Sequence, residues 1–373
     1  MSPVSSKPVR PVAVVSYAQA KSVRREDHRN EVETLMPVIT EVFAKIGVTK
    51  NDMGFVCSGS TDYLVGAPFS FVSALDAVGV WPPMRESHVE MDGAWALYEA
   101  WTLLQEGEVD TALVYSFGRS SPSDLRRVLA LQLDPYYLAP LWTDPVALAA
   151  LQARALIDAG KASEADFAAV AARSRRDALG NPNAQVAKDQ TPEDLLGDDY
   201  VVAPLRRHAL PPITDGAAAL VLAAGDRARD LVERPAWITG IDHRIETHAL
   251  GARDLTASPS TAIAAEAAGI FERWGSGPGA VAVDVAELHT PFASQEGVVR
   301  EALHLADRVA VNPSGGPLAA NAIMVAGLMR IGEAAARIMD GSASSAIAHA
   351  TSGPCLQQNL VCALDAEPGG KGS

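Results

Sequence analysis

The chain has 373 residues, 48% hydrophobic and 20% charged, an ordinary folded profile that exceeds the usual single-core size and predicts two domains or two fused halves. A formal net charge of −14 argues against nucleic acid as a partner, since phosphate binding needs clustered Lys and Arg. No run approaches the roughly 18 apolar residues of a membrane span, and the polar start, Met1 to Arg10, is no secretory signal.

Cys57, Cys355 and Cys362 are sparse and lack metal-ligand spacing, which fits a reducing cytoplasm. In chain order, residues 11–16 read as a short buried strand. Residues 31–45 form a helix with Leu35, Ile39, Val42 and Phe43 on one face. A second strand, 54–59, ends in a small-residue turn, and a short helix covers 70–78. The stretch His88-Val-Glu-Met-Asp-Gly-Ala-Trp-Ala-Leu97 reads as the beginning of a buried helix running on through Tyr98, Trp101 and Leu104. Glu90 or Asp92 then stands near the helix N-terminus, where unpaired N–H groups and the dipole favour negative charge. Such a place suits a nucleophile or an oxyanion, yet no Cys or Ser lies between His88 and Leu97.

Residues 109–118 form an apolar strand after the Gly107 helix stop. A long excursion, 119–208, holds helical segments at 145–159 and 164–178 and the basic run Arg173 to Arg176, read as a solvated helix face. So long an insertion is functional or a subdomain, and it is read as a loop domain covering substrate. Residues 212–224 return to a buried strand. After Arg234-Pro235 the pattern begins again: strand 236–242, helix 260–274, strand 280–287, a long Ala/Gly/Met helix 319–340, and strands 345–353 and 359–364. The tail from Glu367 to Ser373 reads as disordered.

The run 103–118 parallels 338–353: helix end, Gly stop, small-residue turn, strand, Gly. A duplicated unit implies two similar sheets with buried helices between them. The expected division is a first half, 1–234, carrying the loop domain 119–208, and a second half, 235–373.

Three stretches resemble the thiolase superfamily, in its sterol-carrier-protein-x or lipid-transfer-protein branch of actinobacterial steroid catabolism. They are Thr214-Asp-Gly-Ala-Ala-Ala219, Glu287-Leu-His-Thr-Pro-Phe292 and Asn312-Pro-Ser-Gly-Gly316. The resemblance runs in order over essentially the whole chain. It implies an α/β thiolase fold, with two duplicated halves in a five-layer αβαβα sandwich and an inserted loop domain. It also implies a coenzyme A thioester of steroid type as substrate, with no bound cofactor. The implied partners are a second thiolase-like chain, in a homo- or heterodimer, and a DUF35-type OB-fold protein.

The catalytic signatures depart from the family. Asp92 or Gly93 occupies the place of the acyl-accepting Cys. Asn321-Ala322-Ile323 stands where the family has a Gly-His-Pro whose His polarises the thioester oxygen. The closing motif becomes His349-Ala-Thr-Ser-Gly-Pro354. His289, just past a strand of the second half, and His349, in the mirrored place on another of its strands, remain as candidate general base or oxyanion donor; the site reading is favoured over a packed or capping histidine for His289, and His349 stands evenly between a site residue and a buried, hydrogen-bonded one. Asp92 is a candidate base or a helix cap. Glu90 is read as structural. Ser314, Gly315, Gly316 and Gly353 are the candidate substrate-binding positions. Gly315 and Gly316 permit close backbone approach to a thioester oxyanion, although tight turn packing explains them too. Cys57 and Cys355 read as inert buried residues. Neither metal-ligand spacing nor a phosphate-binding glycine loop is present.

Claisen chemistry through an acyl-Cys is thereby disfavoured. Retro-aldol cleavage of a β-hydroxyacyl-CoA needs only a base and an oxyanion site. A silent structural partner of an active thiolase-like chain, or a carrier of acyl-CoA or sterol, remains as an alternative.

Overall fold

Uncharged runs of Ala, Val and Leu, such as residues 217–224, bury both faces and so become interior strands rather than half-exposed ones. The computed structural model describes residues 10–369. The expectations for the first nine residues and for residues 370–373 lie outside the described residues. The strands are β1 (Val12–Gln19), β2 (Phe55–Gly59), β3 (Glu86–Val89), β4 (Thr111–Arg119), a small hairpin of β5 (Tyr200–Val202) and β6 (Leu205–Arg206), β7 (Asp215–Ala224), β8 (Ala236–Ile245), β9 (Val285–Leu288), β10 (Ala310–Val311), β11 (Ser345–Ser352) and β12 (Gln358–Asp365).

All but the hairpin join one hydrogen-bonded sequence, β10-β9-β11-β12-β8-β1-β7-β4-β2-β3. Its two ends are copies. With each set of five numbered in its own chain order, β3-β2-β4-β7-β1 and β10-β9-β11-β12-β8 both read 3-2-4-5-1. The fifth strand of each set, β7 or β12, runs antiparallel to both neighbours. The sequence suggests two similar sheets packed together with buried helices between them, and the two also meet edge to edge where Val12 to Val14 of β1 pair with Ala236 to Ile238 of β8.

Between the two sets lie helices Gly93–Glu106 and Ala326–Met339. Leu97, Ala100 and Leu104 of the first, and Leu328, Ile331 and Ala335 of the second, pack with inward residues of both sets, among them Val14, Val114, Leu220, Ala348 and Cys362. On the far face of the first set, Ala13, Leu113 and Val221 pack against Leu35, Val38 and Val42 of helix Glu31–Ala44. On the far face of the second set, Ile347, Val361 and Ala363 pack against Ala264, Ala265 and Val299. The order is therefore helix, sheet, helix, sheet, helix. Each fully buried Leu or Ile contributes about 1.5–3 kcal/mol, so this central layer is the largest single source of cohesion. The excursion after β4 closes a separate cluster, in which Ala153, Phe167, Ala171 and Leu205 meet. No helix among the described residues is long and apolar enough to cross a membrane.

Several boundaries differ from the sequence pattern, for local reasons. His88 lies on edge strand β3, and the helix expected from it begins only at Gly93, because Asp92 caps it. The helix expected over 319–340 is broken into Gly316–Ala319 and Ala326–Met339. The intervening chain turns through Met324, whose positive φ no helix permits. Helix 260–274 splits at Gly269, which adopts the left-handed region. The strand expected over 280–287 is ordered as β9 only from Val285. The basic run is only partly solvated: Arg173 pairs with the buried Glu296, while Arg176 stays exposed.

Gly332 explains why the central helix is rich in small residues. A Cβ there would overlap the ring of Tyr17, which lies across the helix. Gly332→Ala should lower stability by about 1–3 kcal/mol through overpacking, read from urea unfolding midpoints.

Candidate functional site

The two central helices begin at the same carboxylate. Asp92 is 3% exposed. Its Oδ1 accepts the N–H of Ala94 at 2.9 Å, the first turn of its own helix. Across the pseudo-symmetric layer, Oδ2 accepts Gly327 N–H at 2.9 Å and Oδ1 accepts Leu328 N–H at 3.0 Å. Both helix dipoles thus end on one anion. Burial pushes the Asp92 carboxyl above its ordinary range, while the three backbone N–H groups and the Arg330 charge oppose that shift. Gly327 admits the carboxylate: a Cβ there would stand 2.5 Å from Asp92 Oδ1.

The neighbouring position has no room for a side chain. A Cβ on Gly93 would lie 2.6 Å from Ser116 Cβ and 2.9 Å from a Leu328 methyl carbon. The chain at 320–325 is held over this point. Gly93 N–H donates to Met324 O at 2.9 Å, and Ser116 Oγ donates to the same carbonyl. Neither Asp92 nor Gly93, the two places where the resemblance puts an acyl-accepting Cys, presents a free side chain. The three cysteines are buried thiols without disulfides. Burial pushes all three up, Cys355 to about 11.

Asn321, at the start of the same loop, meets His289 just beyond β9. His289 Nδ1 faces the Thr351 N–H at 3.4 Å and so accepts, which leaves the proton on Nε2. That N–H donates to Asn321 Oδ1 at 3.0 Å. The amide oxygen is thereby used, and the Asn321 NH2 end is the donor that remains. Desolvation lowers His289 to about 3, with the Asn321 hydrogen bond only partly offsetting it. The imidazole is neutral at physiological pH.

His349 is placed differently. In β11, Ala346, Ala348 and Ala350 face the central layer, whereas Ile347 faces the outer one. Alternation sends His349 outward with Ile347. There its Nε2–H donates to Asn359 Oδ1 at 3.0 Å, and Asn359 Nδ2 in turn donates to Ser260 Oγ at 2.7 Å. Its Nδ1 is buried without a partner among the described residues. Burial lowers His349 to about 4. The backbone links the two histidines, His289 N–H to His349 O at 3.0 Å. The His349 ring does not converge with Asp92: the two lie on opposite faces of the second strand set.

The glycine turn before the helix break is tied inward. Ser314 donates through N–H and Oγ to Glu287 at 3.1 and 2.8 Å, and Arg330 Nη1 reaches Glu287 at 2.5 Å and Ser314 Oγ at 2.6 Å. All three are buried. A Cβ on Gly315 would strike Ala178 at 2.6 Å, and one on Gly316 would strike the Asn312 side chain at 2.7 Å. Gly353, with positive φ, turns β11 into β12 beside Gln357. Ser314, Gly315 and Gly316 are thus packed into the turn that precedes Asn321, and Gly353 into the turn between β11 and β12. The sequence pattern left Arg330 unremarked. The signal was there: a lone cation inside an otherwise apolar helix requires a buried counter-ion.

The fold matches known structures over nearly the full length of the chain. The chain superposes on an Ltp2–ChsH2(DUF35) aldolase with a TM-score of 0.76 at 20% identity, covering 95% of this chain and 98% of the other. The chain has the thiolase fold. Its fold also matches human mitochondrial 3-ketoacyl-CoA thiolase in complex with CoA, with a TM-score of 0.74 at 16% identity over 96% and 98% of the two chains. In sequence, this thiolase-fold chain is 29% identical over 192 residues to an acetyl-CoA acetyltransferase of Methanothermobacter thermautotrophicus, covering 47% of this chain and 49% of the relative. It is 38% identical over 95 residues to the 17-hydroxy-3-oxo-4-pregnene-20-carboxyl-CoA lyase of Mycobacterium tuberculosis, 25% of each chain. The matched stretches thus span about half or less of the curated relatives. No family model matches the chain.

The neutral histidines set a pH dependence. In the fold both rings stay unprotonated down to about 3 and about 4, whereas the unfolded chain takes up protons at these positions below about 6.5. The unfolded state binds more protons in that window, so stability falls as pH drops through it. From about pH 7.5 to about pH 5, the two rings together should remove up to about 4 kcal/mol. Urea unfolding at the two pH values measures this, and His349→Gln should lose about half of the dependence. Asp92→Ala, uncapping two helices, should cost about 2–4 kcal/mol at neutral pH in the same assay.

Proposed function

We propose that this chain is a lipid-transfer-type, thiolase-like subunit of a complex that cleaves a carbon–carbon bond in a β-hydroxyacyl-CoA of steroid type by retro-aldol chemistry. The observation that carries the reading is the closed nucleophile position beside an intact pair of polar groups. Asp92 is locked and Gly93 is walled in, while His289 orients Asn321. A relative acting on a steroid carboxyl-CoA and a fold neighbour that is an aldolase support the same class. A thiolase neighbour in complex with CoA supports a coenzyme A thioester as ligand.

In this reading the thioester carbonyl faces the Asn321 amide. A base takes the proton of the β-hydroxyl, its oxygen becomes a carbonyl, and the adjacent C–C bond breaks. The bonding electrons pass into the thioester as an enolate, whose oxygen accepts hydrogen bonds from Asn321 NH2. Protonation at carbon then releases the shortened acyl-CoA. A preorganised donor of this kind is worth about 10²–10³ in rate. His289 fixes the Asn321 amide rather than acting as the base, because a ring lowered to about 3 is a poor proton acceptor near pH 7. The base comes from elsewhere in the complex, with a second thiolase-like chain and a DUF35-type OB-fold protein as the partners. Asp92 serves as the clamp and His349 as a buried support.

A second reading, a silent structural partner, is favoured by one fact: His289 and Asn321 are only 7% and 6% exposed. The test separates the two readings. The chain is co-purified with its OB-fold and thiolase-like partners and assayed with a steroid β-hydroxyacyl-CoA for ketone and acyl-CoA release. Asn321→Ala should lower kcat by about 10²–10³ with the complex intact, and His289→Ala by a similar factor. Iodoacetamide should leave turnover unchanged. Full activity of the Asn321→Ala complex would leave only the silent role, and inactivation by the thiol reagent would restore a Cys mechanism.

A further inference from the structure

Where the excursion after β4 rejoins the core, it brings one hydroxyl against the backbone of Asn321. Thr214 stands just ahead of β7 and forms an isolated parallel bridge with Ala322. It is fully buried. Its Oγ1 accepts the Asn321 N–H at 3.1 Å and donates to Pro212 O at 3.3 Å. A hydroxyl with one donor and one acceptor as partners has its rotor fixed.

Asn321 depends on this hydroxyl because it lies between helices. Helix Gly316–Ala319 ends at Ala320, whose φ of −161° and ψ of 123° are extended, and the next helix begins only at Ala326. The Asn321 N–H makes no backbone hydrogen bond among the described residues. The segment is therefore tied at two points. Thr214 holds Asn321, and the Gly93 N–H and Ser116 Oγ hold Met324 O. The excursion grips both flanks of the first tie. Gln185 Nε2 donates to Ile213 O at 3.1 Å, beside Thr214. The Gln185 and Val186 N–H groups donate to Ala319 O at 3.2 and 2.9 Å, two residues before Asn321.

Asn321 is thus fixed from opposite ends. His289 holds its side-chain oxygen, and Thr214 holds its backbone N–H. With one contact alone the amide can swing about the other end; with both, the NH2 group has a single direction. We propose that Thr214 is a positioning residue for carbon–carbon cleavage: its hydroxyl sets the Asn321 backbone, and Gln185 keeps the two segments in register. The inference rests on the reading of Asn321 as the donor to the thioester oxygen. Thr214 acts only through Asn321. An oxyanion donor is effective at about 2.7–3.1 Å from the charged oxygen, and a displacement of about 1 Å costs on the order of 10² in rate.

The test uses the co-purified complex and a steroid β-hydroxyacyl-CoA. Thr214→Val keeps the side chain's shape and removes the hydroxyl; it should lower kcat by about 10–10² with KM within about twofold, and Thr214→Ser should restore most of the rate. Thr111→Val is the control, since that buried hydroxyl donates to Asp52 O at 2.6 Å, at the far end of β4, and its loss should leave kcat unchanged. A second readout needs no turnover. In spectra of the full chain labelled with ¹⁵N-histidine and assigned with His349→Gln, the His289 Nε2–H signal should shift in Thr214→Val and return in Thr214→Ser. Where Thr214→Val does not fold, Gln185→Leu should show the same lowered kcat and shifted signal. Parent-like kcat in Thr214→Val beside an impaired Asn321→Ala overturns the positioning role alone, as does a rise in KM with kcat unchanged. An unshifted His289 signal in both variants overturns it as well. A fully active Asn321→Ala complex overturns the cleavage reading and this role with it.

Discussion

The structure depends on one buried carboxylate shared by two helices. Asp92 closes the first turn of its own helix and, from the other half of the chain, the first turn of helix Ala326–Met339. Two duplicated strand–helix sets can pack face to face in many registers by hydrophobic burial alone, since burial has no direction. Hydrogen bonds from three backbone N–H groups to one carboxylate have direction and length, and they fix which turn of one helix meets which turn of the other. The glycines follow from this contact. Gly327 is where the carboxylate enters, and Gly93 is where the opposite helix and β4 press in.

The same clamp shapes the electrostatics around it. In a site where two helix dipoles converge, a thiol would be driven toward thiolate. Here the dipoles end on a carboxylate that cannot leave, and no reactive anion is left. The polar groups nearby are arranged as closed pairs. His289 is spent on Asn321 and the Thr351 N–H, and Glu287 is spent on Arg330 and Ser314. A buried ion pair contributes little net stability, but removing one partner costs about 3–5 kcal/mol. The Glu287–Arg330 pair therefore acts as a registry device that holds the segment before His289 to the helix after Asn321.

Much of the architecture was legible along the chain. The repeat of helix end, Gly stop and strand at 103–118 and 338–353 pointed to duplication, and strand order 3-2-4-5-1 in both sets is its three-dimensional form. The lack of a Cys between His88 and Leu97 was equally plain. The helix breaks at Met324 and Gly269 were not, because apolar periodicity continues across both and only the backbone turn ends the helix. His349 read as the mirror of His289, yet a strand's two-residue period sends it to the far face. Which face that is depends on the register of β11 against β9 and β12.

Local pattern thus determined the elements, their duplication and the absence of a nucleophile, since these rest on composition and short-range periodicity. Tertiary structure alone decided what replaced that nucleophile. The partners of Asp92 are Gly327 and Leu328, more than two hundred residues away, and no local rule links a carboxylate to amides at that separation. It also decided that Asn321, not a histidine, holds the polar group beside His289, because only packing of the 320–325 loop over Gly93 brings the two together.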